Sequence, residues 1–155
     1  KNIHRVAEYG LTFDILTRPP QLSAAVEMVK RSPNNTFVLD HISKPYIAKN
    51  DFQPWADQIS QIASNENVSV KVSGLFTEAK WSNWSNQTFR PYFDHILNSF
   101  SPSRMMFGSD WPVCLLAATY SQTINLMEEL TKEFTKTEQE SFWSGTAKQS
   151  YRLKV

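Results

Sequence analysis

A chain of 155 residues, 41% hydrophobic and 20% charged, has the composition of a globular domain or of a piece of a larger one. Its net charge of +1, with basic residues scattered along the chain, gives no footing for nucleic acid or an anionic membrane as partner. One cysteine, Cys114, excludes an intrachain disulfide framework and offers no zinc-ligand spacing. No apolar run approaches the roughly 20 residues of a membrane span. The opening Lys1-Asn2-Ile3-His4-Arg5 holds neither Met nor a signal-peptide apolar region. A cytoplasmic chain that is processed, or is a fragment, is therefore expected. The Asn-x-Ser/Thr matches at Asn34, Asn67, Asn83 and Asn86 are read as chance.

In chain order, residues 2–9 read as the end of a helix, stopped by Gly10. Residues 11–17 are a strand candidate closed by Arg18-Pro19-Pro20, and Leu22, Ala25, Val26 and Val29 mark a helix over 21–31. Residues 36–41 form a continuous apolar strand ending in Asp40-His41, as expected when both sheet faces are covered. Phe52, Trp55, Ile59 and Ile62 then repeat helical spacing over 52–63. Residues 68–73 alternate Val68, Val70 and Val72 with Ser69, Lys71 and Ser73, and Gly74 ends the strand. A polar-aromatic stretch holding Trp81 and Trp84 leads into a helix through Phe89, Tyr92, Phe93 and Ile96, with Pro91 expected near its first turn. Residues 104–108 are the fourth strand. A helix is predicted over 119–134, a capping box at Thr137-Glu138-Gln139-Glu140 announces another, and Gly145 is expected to separate that one from a last piece over 146–153.

Strand and helix alternate four times, which predicts βαβ units and a parallel sheet. Chemistry on such sheets gathers beyond the carboxyl ends of the strands. The residues delivered there are Asp14 and Arg18, Asp40 and His41, Lys71 and Ser73, Asp110 and Trp111. Asp110 follows the short run Met105-Met106-Phe107-Gly108-Ser109 and precedes Trp111-Pro112, so it sits where a strand stops, as a reactive carboxylate or as a turn cap. Asp40 would point away from His41 if its strand continued, and is read as structural. Lys71 either lines the interior of the sheet or pairs with an acidic neighbour there. Arg18 either clamps a substrate carboxylate or is a surface residue. His95, inside a helical pattern, is read as structural, and Cys114 has no local base to make it a nucleophile. Adjacent Ser109 and Asp110 side chains would diverge, which argues against a serine triad with His41.

The segments Leu11-Thr12-Phe13-Asp14-Ile15-Leu16, Phe37-Val38-Leu39-Asp40-His41-Ile42-Ser43-Lys44-Pro45, Val70-Lys71-Val72-Ser73-Gly74-Leu75 and Met106-Phe107-Gly108-Ser109-Asp110-Trp111-Pro112-Val113 resemble the amidohydrolase 2 family, in its lactonase-type branch. The tail Phe142-Trp143-Ser144-Gly145-Thr146-Ala147 with Tyr151 resembles that family's closing helix. The resemblance implies an α/β fold, a (β/α)8 TIM barrel of which residues 1–155 supply strands five to eight as a C-terminal half-barrel, since a whole barrel takes about 250 residues. The family's first-strand His-x-His pair has no counterpart here; His4, His41 and His95 are too far apart to supply it. A half-barrel alone would expose two sheet edges and is expected to fold poorly, to self-associate, or to need its N-terminal half.

The resemblance further implies hydrolysis of a small sugar lactone or related cyclic ester. Asp110 would be the general base and His41 the group that polarises the carbonyl. Trp111, Arg18 and Lys71 are the candidate substrate-binding residues, Trp111 stacking on a sugar ring, walling the pocket or packing in the core. The cofactor reading is open between one divalent metal such as zinc, touched by Asp110, and none. Two alternatives stand beside it: a zinc-dependent decarboxylase of the same superfamily, and an inactive half-barrel that needs another chain.

Overall fold

The computed structural model describes residues 2–154. Four strands, β1 (Thr12–Ile15), β2 (Thr36–Leu39), β3 (Val68–Val72) and β4 (Met105–Phe107), form one sheet in the order β1-β2-β3-β4. Every pairing is parallel, with Phe13 beside Phe37, Leu39 beside Val70 and Val72 beside Phe107. This is the arrangement of four consecutive units of a (β/α)8 barrel, a half-barrel in which β1 and β4 each have one strand neighbour.

The connecting helices are α1 (Asn2–Glu8), α2 (Pro19–Lys30), α3 (Gln53–Ala63), the short α4 (Leu75–Glu78), α5 (Asn86–Phe100), α6 (Tyr120–Leu130), α7 (Lys136–Glu140) and α8 (Thr146–Tyr151). Val68, Val70 and Val72 turn to the helical side and are buried with Leu22, Trp55, Ile59, Phe93 and Ile96 in one core. Arg104, in a short turn ahead of β4 rather than in the strand, ties this layer together. Its guanidinium donates to the carbonyls of Ala63 at 2.9 Å and Val68 at 3.0 Å.

Several boundaries differ from expectation, each for a local reason. Pro19 and Pro20 do not close a strand; they open α2, where a missing N–H costs nothing. β2 stops at Leu39, two residues early, because Asp40 begins a tight turn. Pro91 lies in the interior of α5, past its first turn, so the Gln87 carbonyl has no N–H four residues on to accept from. α6 ends at Leu130, not at residue 134. The capping box is built by Thr135 and Glu138, whose carboxylate accepts from the Thr135 N–H at 2.8 Å. Gly145 separates nothing: α7 runs through a π-helical turn, Ser141–Gly145, straight into α8. That last helix crosses to the other side of the sheet, where its Ser150 carbonyl accepts from the Thr12 hydroxyl at 2.5 Å and its Ser150 hydroxyl lies 3.4 Å from Ser69 Oγ. Among the described residues no helix is long and apolar enough to cross a membrane.

Candidate active site

Beyond Leu39 the chain turns left-handed for four consecutive residues: His41, Ile42, Ser43 and Lys44 have φ of 50°, 45°, 61° and 48°. None is glycine, so each costs about 1–2 kcal/mol of backbone strain, and the turn persists only because its surroundings hold it. Ile42 is fully buried and its carbonyl accepts from Trp55 Nε1 at 2.7 Å. Ser43 Oγ meets Thr17 Oγ1 at 2.7 Å, and Lys44 Nζ donates to Glu78 Oε1 at 3.0 Å. The strained turn lifts His41 out of the sheet and lays its imidazole against Gly74.

On the far side of the sheet end, Asp110 also has a left-handed backbone, φ 56°, and its carbonyl accepts from the Cys114 N–H at 2.8 Å. The following Trp111–Pro112 bond is cis. Asp110 Oδ1 lies 3.8 Å from His41 Nε2, and the two side chains are 10% and 19% exposed. Asp110 Oδ2 is buried and has no hydrogen-bond partner. Asp110 also borders a void of about 10 Å³ lined by Ser73, Gly74, Cys114 and Thr123, room for about one water. A buried carboxylate oxygen without a partner is costly unless something fills the position. His41 Nδ1 is 2.8 Å from Ser73 Oγ. Burial lowers the His41 pKa below the usual histidine value; Asp110 and Asp40 oppose that shift, and Lys44 and Lys71 add to it. The imidazole is therefore held neutral near pH 7.

Below this pair runs a second polar layer. Ser69, Lys71 and Ser73 do share one face, opposite the buried valines. Lys71 Nζ donates to Asp40 Oδ1 at 2.5 Å and lies 3.9 Å from Asp14 Oδ2. The Tyr151 hydroxyl donates to Asp14 Oδ1 at 2.7 Å. Burial works to lower the Lys71 pKa, but Asp40 and Tyr151 outweigh it and hold the ammonium above the usual lysine value. Burial, followed by the hydrogen bond to Asp14, pushes the Tyr151 phenol up to about 12. Asp40 lies where strand parity puts it: Val38 pairs with Ser69, so Asp40, two residues on, comes beside Lys71 on the polar face, and it is His41, the parity mate of the core residues Phe37 and Leu39, that the left-handed turn brings round.

A family model described as "Amidohydrolase" matches residues 1–153. The chain belongs to the amidohydrolase family. It is 34% identical over 151 residues to an L-fucono-1,5-lactonase of Burkholderia multivorans, covering 91% of this chain and 51% of that protein. A solved amidohydrolase from Burkholderia multivorans with bound zinc superposes with a TM-score of 0.92 at 33% identity, over 98% of this chain and 56% of that one. A putative 2-pyrone-4,6-dicarboxylic acid hydrolase from Pseudomonas putida shares the fold at a TM-score of 0.80 and 18% identity, over 99% of this chain and 56% of its own. The chain thus spans about half the length of the curated relatives it matches.

Among the described residues of this amidohydrolase chain, no three His, Cys, Asp or Glu side chains come together as metal donors. Asp110 with its partnerless oxygen is one donor and His41 a second, 3.8 Å away, so these residues do not by themselves fit a metal centre. Of the other candidates, Lys71 stands one layer beneath the His41–Asp110 pair. Arg18 is exposed beyond β1 and reaches Glu78 at 3.5 Å, so Glu78 joins two cations, Arg18 and Lys44, at the rim. Trp111 is 63% exposed, which removes the core-packing reading. Trp84 packs on Phe76 and Phe89 and donates to the Ala117 carbonyl at 3.0 Å, whereas Trp81 is exposed. His95 belongs to the α3–α5 contact, its Nε2–H donating to the Ala56 carbonyl at 2.8 Å. Cys114 is buried in a short turn, Val113–Leu116. Nothing in the sequence marks Gly74 or Glu78 as site residues, and although Ser73 stands among the strand-end residues, nothing in its neighbours tells that its hydroxyl reaches His41.

Proposed function

We propose that the chain is half of a hydrolase that opens a small sugar lactone or related cyclic ester, with Asp110 as general base and His41 as the hydrogen-bond donor to the ring carbonyl. The observation that carries this reading is the buried, partnerless Asp110 Oδ2 next to a neutral imidazole 3.8 Å from its other oxygen. The named lactonase among the relatives supports the substrate class. Water attacks the carbonyl carbon and gives its proton to Asp110. The carbonyl electron pair moves to oxygen, where the His41 Nε2–H holds the growing negative charge. Collapse breaks the ring C–O bond, and the leaving oxygen takes the proton back from Asp110. The product is one hydroxy acid, and both residues return to their starting states. Trp111 and Arg18, exposed at the rim, would contact the sugar and its ring-opened carboxylate.

β1 and β4 each lack a second strand neighbour in the sheet, and the relatives are about twice as long. Activity is therefore assigned to the closed barrel, completed by a preceding half or by another chain. Asp110→Asn is the direct test, because asparagine tolerates a left-handed backbone and changes little but the charge. In the natural-length protein, aldonolactone opening should fall by about 10²–10⁴-fold, the usual worth of a general base. An unchanged rate, or turnover by release of carbon dioxide from a carboxylated substrate instead, would sink the proposal.

A further inference from the structure

We propose that Ser73 is a positioning residue that fixes the tautomer of His41, donating its hydroxyl proton to Nδ1 so that the imidazole carries its own proton on Nε2. The role of that proton in turnover rests on the lactone-hydrolase reading; the tautomer does not. Ser73 is 2% exposed, and its Oγ lies 2.8 Å from His41 Nδ1. A hydroxyl can donate or accept, and the surroundings decide between the two. Were Nδ1 protonated, the buried Ser73 O–H would be left without an acceptor, and the Nε2 lone pair would face the Asp110 carboxylate 3.8 Å away. With Ser73 donating, the hydroxyl proton is satisfied and Nε2–H points its positive end toward Asp110 Oδ1. The third state, a charged imidazolium, is opposed by burial and by Lys44 and Lys71, against which Asp110 and Asp40 pull.

The packing leaves the pair little freedom. A Cβ on Gly74 would come within 3.0 Å of His41 Nδ1 and 3.1 Å of its Cγ, so the ring rests on bare backbone there. A Cβ on Gly108 would meet the Ser73 Cβ at 2.9 Å. Ser73 is thus pressed between β4 and the imidazole, and its hydroxyl stays within reach of Nδ1. The two glycines on either side of the serine have the same consequence: each lets the backbone come close enough to hold one member of the pair.

The test reads the imidazole itself. The natural-length protein is labelled with ¹⁵N-histidine, the His41 signals are identified with His41→Gln, and long-range ¹H–¹⁵N correlations give the protonation of each ring nitrogen. The wild type should show a protonated Nε2 and a bare, hydrogen-bonded Nδ1. Ser73→Ala, which only removes an atom, should lose that fixed pattern and show exchange between tautomers. Its kcat should fall about tenfold with little change in KM, the worth of one hydrogen bond. A wild-type Nδ1–H pattern, or a Ser73→Ala pattern identical to wild type, would overturn the proposal. A failed Asp110→Asn test would remove the lactonase reading and leave this spectroscopic result standing.

Discussion

Gly74 is glycine for two separate reasons. Its φ of +67° is left-handed, and the space where a side chain would begin is taken by the His41 ring. Gly74→Ala should therefore destabilise the fold by about 1–2 kcal/mol from backbone strain alone and should also displace the imidazole. Chemical denaturation measures the first effect. A loss of turnover larger than the stability change accounts for would mark the second. At this scale the sequence was legible where a residue's place in the alternation carried the information. Asp110 and His41 stand at strand ends, and Lys71 shares a face with Ser69 and Ser73. What was not legible depended on contacts across the chain or on strained backbone. The left-handed turn from His41 to Lys44 contains no glycine to announce it, and Ile42 is a residue type that disfavours such a conformation. His41 departs from strand parity for that reason: its direction follows from a turn held in place by Trp55 and Thr17, whereas Asp40 keeps the side that the strand before it sets.

Among the elements, α5 has a weak point. Pro91 is exposed, so replacing it forfeits no packing, while an N–H at that position would complete the hydrogen bond to Gln87. Pro91→Ala should stabilise the protein by about 2 kcal/mol, the helix-interior cost of proline less its stiffening of the unfolded chain. A rise in the denaturant midpoint at unchanged slope would confirm it; a fall would mean that the chain needs a bend there. The four strands and their intervening helices can be found from periodicity because β2 and β4 are short apolar blocks, β3 alternates strictly, and each long helix has one buried stripe. Their ends cannot, because ends are set by capping. Thr135 and not Thr137 starts α7 because its hydroxyl and the Glu138 carboxylate close on each other, and both threonines look equally suitable in the sequence. Gly145 lies within a continuous helical run because it closes the π turn that absorbs the irregularity.

At the scale of the molecule, the layer of Asp14, Lys71, Asp40 and Tyr151 joins the first strand, the middle of the sheet and the last helix. Its charge state is a stability term. The Tyr151 phenol keeps its proton to about 12 in the fold against 10.0 unperturbed, so between those values the folded protein binds more protons than the unfolded one. This stabilisation is complete below the unperturbed value and is lost as the pH rises through the folded one; the raised Lys71 acts in the same direction. The thermal midpoint of wild type should fall more steeply than that of Tyr151→Phe between about pH 9 and about pH 12. Parallel slopes would show that the phenol is not coupled to folding. The parallel sheet was foreseeable from strand–helix alternation, but this layer was not, since it requires α8 to cross to the side of the sheet that the other long helices leave uncovered.

Strand β3 separates two duties by parity. Val68, Val70 and Val72 join the hydrocarbon core, while Ser69, Lys71 and, one residue beyond the strand, Ser73 hydrogen-bond to Ser150, Asp40 and His41. Heritable change on one side can accumulate without being felt on the other. A lineage of such chains could exchange its chemistry while keeping its melting behaviour, or harden against heat while keeping its chemistry, within the same few consecutive codons.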